Sequence, residues 1–96
     1  METGIDLIAK ERKEQIEKHG RTIEQDVMYN DNEQLAIGAE MLLAVEHEVG
    51  IDSESFPYGW DKETCNYMLS KSYKERLIIA GALIAAELDR LIYLEK

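Results

Sequence analysis

Apolar residues return at intervals of three and four along most of the chain, and nowhere do they alternate strictly with polar ones. That pattern predicts helices and no sheet. Thr3-Gly4-Ile5-Asp6 places an acid three residues after a threonine, the spacing of a helix cap. Ile5, Ile8, Ala9, Arg12, Ile16 and His19 then follow on one helical stripe until Gly20 supplies a stop, which predicts a first helix over about 4–19. Residues 20–31 hold Gly20, Thr22, Asn30 and Asp31 without sustained periodicity and read as a surface loop. Asn30 with Glu33 is the next cap, and Leu35, Ala36, Ala39, Leu42 and Leu43 carry a second helix over about 31–48. Ser72-Tyr73-Lys74-Glu75 opens the third, over about 72–94. Its run from Leu77 to Ala86 is apolar almost all round, as in a central helix contacted from several sides. The expected fold is therefore all-α, a small bundle of three main helices.

The stretch between the second and third helices is different in kind. Gly50, Pro57 and Gly59 punctuate residues 50–61, with Phe56, Tyr58 and Trp60 interleaved. Aromatic side chains bury large areas, so this connecting loop is expected to pack back on the helices. A short fourth helix fits near 62–70.

Ninety-six residues, 45% of them hydrophobic, make one domain, 1–96. A core of that size is marginal alone, and an oligomer that buries part of an apolar helix face fits the composition. Eleven basic residues against 20 acidic ones give a formal charge of −9, a field that repels DNA and RNA backbones. The same acids suit a hard cation such as Mg2+. The longest uncharged apolar run is about half the roughly 20 residues of a membrane span. One cysteine, Cys65, forms no internal disulfide, and without a recognisable leader the expected compartment is the reducing cytoplasm.

Three groups of residues are candidates for chemistry. Glu33 and Glu40 lie seven residues apart on the second helix, so they point nearly the same way, and His47 extends their line. Glu87 continues the stripe of Ala80, Leu83 and Ile84 on the third helix, which runs on to Leu91 and Leu94. Carboxylates at such core margins hold a divalent ion when acids from neighbouring helices converge. The plainer reading makes Glu33 a helix-start acid, Glu40 a solvent-margin residue and Glu87 the surface partner of Arg90. Arg12 and Gln15 interrupt the apolar stripe of the first helix, where a guanidinium fork suits a phosphate or carboxylate. Phe56, Tyr58 and Trp60 are candidates for binding a protein partner wherever they are exposed. Gly38 and Gly81 each cost about 1 kcal/mol in a helix, which invites a packing reason or room for a ligand.

The run Arg12-Lys13-Glu14-Gln15, with His19-Gly20-Arg21-Thr22-Ile23-Glu24-Gln25-Asp26 and the ending from Ala80 to Leu91, resembles a small phage- and prophage-associated family of uncharacterised role. More distantly, the layout resembles the all-α nucleoside triphosphate pyrophosphohydrolases of the MazG type. That resemblance implies a magnesium-dependent hydrolase, or a degenerate relative of one, with Glu33, Glu40 and Glu87 on the metal. Arg12, Gln15 and Lys74 would then lie on the nucleotide's phosphates. The superfamily carries its acids as pairs three residues apart, whereas Asp89 falls one short of that offset from Glu87. The alternative is a non-catalytic phage or mobile-element module that binds a protein partner.

Overall fold

The computed structural model describes residues 1–44 and 56–95. Among them are five helices and no strand: α1 (Gly4–His19), α2 (Ile23–Tyr29), α3 (Gln34–Ala44), α4 (Lys62–Leu69) and α5 (Tyr73–Leu94). The all-α expectation holds. None of these helices is long and apolar enough to cross a membrane.

Caps set the boundaries. Thr3 and Asp6 form a reciprocal capping box at α1, and Gly20 ends it in the left-handed region at φ 66°. Ser72 accepts from the Glu75 N–H at the start of α5. Asp61 does the same for α4 through Thr64, confirming the short fourth helix.

Residues 20–31 are not all loop. Thr22 accepts from the Gln25 N–H at 3.2 Å and starts the seven-residue α2. Asn30 is consequently the C-cap of α2, not the N-cap of α3. The turn into α3 is tied instead by Gln34, a fully buried residue. Its Oε1 accepts from the Asn32 N–H at 2.6 Å, and its Nε2 donates to the Tyr29 carbonyl at 3.3 Å. Glu33, just before α3, has φ 64°, a conformation that costs a side-chain-bearing residue about 1 kcal/mol or more. Its carbonyl still accepts from the Ile37 N–H. Glu33→Gly is expected to stabilise the fold by roughly 0.5–1 kcal/mol and Glu33→Ala to leave it unchanged, as chemical denaturation would measure. A loss of stability in the glycine variant would refute the strain.

Helix α5 is the axis against which all the others pack. The core joins Leu35, Ala39, Met41 and Leu42 of α3, Cys65 and Met68 of α4, and Ala80, Leu83 and Ala86 of α5. Phe56 and Trp60 pack against it from the connection, as aromatics in a loop should. Two expectations fail here. Ile84, Leu91 and Leu94, placed by periodicity on a core-facing stripe of α5, are about half exposed. On α1, Ile5 and Ala9 face outwards, and the buried positions are the polar Arg12 and Gln15.

The helical glycines receive side chains rather than each other. A Cβ on Gly38 would sit 2.7 Å from two ring atoms of Trp60. One on Gly81 would sit 2.6 Å from Cδ1 of Ile8, where α1 crosses α5. Neither space is left for a ligand.

Candidate functional site

Where α1, α2 and α5 meet, the interior is polar. Arg12 projects from α1, donates Nη1–H to the Arg21 carbonyl at 3.1 Å and pairs through Nη2 with Asp89 at 3.3 Å. Asp26 of α2 is 1% exposed. Its Oδ1 accepts from Asn30 Nδ2 at 2.8 Å, and Asn30 Oδ1 accepts in turn from the Trp60 indole N–H at 2.7 Å. This chain of bonds runs from the helix bundle into the aromatic connection. Nearby on α5, Arg90 grips both oxygens of Glu87, at 2.6 and 3.0 Å, with both side chains largely buried.

Among the described residues, three buried side-chain atoms have no hydrogen-bond partner: Asp26 Oδ2, Arg12 Nε and Gln15 Oε1. Leaving a buried polar atom unpaired costs about 1–3 kcal/mol, so three together call for an explanation. Burial pushes the Asp26 carboxyl above its ordinary value. The Asn30 hydrogen bond and the Arg12 and Arg21 charges pull the other way, and Glu87 adds to the rise.

Asp26 lines a cleft of about 270 Å³ between α2 and the connection, with Tyr29, Asn30, Tyr58, Trp60, His19 and Arg21 among its walls. The floor depends on a turn that only glycine makes easily. Trp60 N–H donates to the Pro57 carbonyl, and Gly59 takes φ 80° at the third position. The Arg21 guanidinium lies 5.5 Å over the indole. With Gly38 against it and Arg21 over it, Trp60 is a wall, whereas Tyr29 and Tyr58 are well exposed and accessible to a planar ligand. A second cleft, of about 400 Å³, adjoins the first and shares His19, Arg21 and Thr64 with it. Its further walls include Gln15, Glu11, Lys71 and Tyr67.

The three metal candidates are not brought together. Glu33 and Glu40 are exposed on and beside α3, while both oxygens of Glu87 are held by Arg90. Among the described residues no group of three acids, histidines or cysteines is placed to hold a metal ion. His47 lies outside the described residues. Of the phosphate candidates, Arg12 and Gln15 share the buried face of α1, and Lys74 is exposed and lines neither cleft. Of the three aromatics expected to meet a partner, Phe56 and Trp60 are packed inward and Tyr58 alone is exposed. Cys65 is fully buried, and burial raises its thiol's pKa, with Asp61 adding and Arg21 opposing; neither condition suits a nucleophile.

Asp26 and Asn30 are the residues that periodicity did not single out. Thr22 and Gln25 carried the signal: a threonine followed at three by glutamine starts a helix, and on that helix Asp26 and Asn30 stack one turn apart. No protein-family model, curated protein or solved structure matches the chain.

Proposed function

We propose that this chain is a nucleotide-binding helical module that seats an amino-bearing base in the cleft beside α2. The observation that carries the reading is Asp26, which lines an aromatic cleft and whose carboxylate has one oxygen tied to Asn30 and the other buried and without a partner among the described residues. A base presents an N–H donor in the plane of a ring; the ring gives Tyr29 and Tyr58 a face to stack on, and the donor supplies what Oδ2 lacks once the groups that cover that oxygen shift on entry. The cleft's volume lies just below the range of about 300–1,000 Å³ typical of small-molecule pockets, which suits a single nucleoside. Phosphates extending from the sugar would pass Arg21 and His19 towards Lys71, along the walls that the two clefts share. Arg21, lying over Trp60, is the group that must swing aside on entry.

Binding without turnover is favoured over magnesium-dependent pyrophosphate release because Glu87 is committed to Arg90 and Glu33 and Glu40 point away. Calorimetry with adenosine, guanosine, cytidine and uridine monophosphates and triphosphates is expected to find binding by amino-bearing bases. Simple amines serve as the competing ligand class. Pyrophosphate release in the presence of magnesium would replace this reading with the hydrolase, and absence of binding by every nucleotide would end it. Asp26→Asn separates a binding role from a structural one. The uncharged side chain escapes the desolvation penalty, so the fold at pH 7 is expected to become more stable while nucleotide affinity falls tenfold or more. A variant that loses stability and affinity together would mark Asp26 as structural.

A further inference from the structure

The face of α5 turned away from the core carries Leu77, Ile84, Leu88, Leu91 and Ile92, each between 39 and 55% exposed. Their positions fall on a strip with Tyr73 and Gly81, spaced by threes, fours and one gap of seven that Gly81 subdivides. At Gly81 the Ile8 side chain of α1 fills the notch and continues the apolar strip. Exposed apolar side chains scattered singly need no explanation, but a continuous row along one helix does. With about half of each residue in water, the five offer on the order of 450 Å² per copy, a little over half of the ~800 Å² per partner of a standard interface, and Tyr73 at 53% exposure adds to it.

The ends of the row say what covers it. Lys74 stands exposed at its N-terminal end and Glu95 at its C-terminal end, and no charged residue lies on the strip between them. In a chain of formal charge −9, a strip without charge between its ends lets two copies meet without opposing like charges along it. The midpoint between positions 74 and 95 falls beside Ile84. An antiparallel crossing there brings each copy's Lys74 to the other's Glu95 and lays Ile84 near its own counterpart on the two-fold axis. A parallel crossing would oppose lysine to lysine and glutamate to glutamate and would align the two helix dipoles side by side.

We infer that the chain forms a two-fold symmetric homodimer through antiparallel contact of the exposed α5 faces, closed at each end by a Lys74–Glu95 pair. The interface is isologous, so a single strip serves both copies and the assembly stops at two. None of its residues lines either cleft: the first is walled by α1, α2, α3, α4 and the aromatic connection, and the second takes from α5 only Glu75, Ile78 and Ile79.

Sedimentation equilibrium over a concentration series tests this directly. The expected mass is twice the 11.0 kDa of the chain, falling to 11.0 kDa in Leu88→Lys with its helical circular dichroism unchanged. Lys74→Glu alone and Glu95→Lys alone are each expected to raise the dimer dissociation constant about fivefold, and the two together to restore it. A monomeric wild type at 100-fold dilution steps up to the highest soluble concentration overturns the proposal. So does a dimer that Leu88→Lys leaves intact. Failure of the double exchange to restore association overturns the antiparallel arrangement. Nucleotide binding by a Leu88→Lys monomer would leave this outcome separate from that of the cleft.

Discussion

Replacing Gly38 with alanine is expected to destabilise the fold by about 2 kcal/mol and to abolish the nucleotide binding proposed for the cleft. A methyl group at that position would stand 2.7 Å from Cη2 and Cζ3 of Trp60 and 3.3 Å from Cδ1 of Leu83. The indole has little freedom to yield. Its N–H is bonded to Asn30, its backbone closes the turn with Pro57, and Arg21 covers its ring. Moving it breaks the Trp60–Asn30 bond and so loosens the partner that holds Asp26. Gly81→Ala is the control, because its closest neighbour is the flexible end of Ile8, with Cγ1 at 2.9 Å behind it. There the gain of about 1 kcal/mol in helix propensity offsets the shift, for a net change within roughly 0.5 kcal/mol. Urea unfolding of both variants would measure the contrast. Equal losses at the two glycines would show that the Trp60 contact has no special weight.

Arg12→Ala is expected to cost more, about 3 kcal/mol at pH 7. The residue is 8% exposed, and removal of its side chain strands the Arg21 carbonyl, unpairs Asp89 and withdraws a cation from the neighbourhood of Asp26. Part of that loss is expected to depend on pH, with a sign fixed by the carboxylate. The folded-state value of Asp26 lies above its ordinary 3.8, so the folded protein binds the proton more tightly than the unfolded chain. Stability from this group is therefore greatest below about 3.8 and declines as pH rises to the folded value, beyond which it is constant. Without Arg12 the folded value rises further and the decline is larger. Wild type and variant should accordingly converge in stability as the pH is lowered from 7 towards 4. A gap that stays constant over that range would mean that Arg12 acts through packing alone.

How much of this was legible in the sequence depends on the kind of signal each element carries. Helices α1 and α5 announce themselves twice, by a cap at Thr3 or Ser72 and by a long apolar period, and their ends fall within a residue of expectation. The seven residues of α2 are too few to show a period, and only the Thr22–Gln25 spacing betrays them. The orientation of α5 was misread because a helix that is apolar almost all round has no polar face to say which side is free. Arg12 was noticeable as a cation on an apolar stripe, but what it touches was not. Asp26 was hidden for the opposite reason: acids are placed on the surface by default, and nothing local distinguishes one that is 1% exposed. The cluster of Glu33, Glu40 and Glu87 does not form among the described residues because alignment along one helix says nothing of where the acids of another lie; Glu87 is held instead by Arg90, the pairing that their three-residue spacing on α5 offered, though the pair is largely buried and not on the surface.

The chain's single sulfhydryl gives it a native reporter of its own breathing. Cys65 sits in the core where α4 meets α3 and α5, and no alkylating reagent reaches it while those helices stay together. Its labelling rate therefore counts the openings of α4, and slower labelling with nucleotide present would register cleft occupancy without any engineered probe.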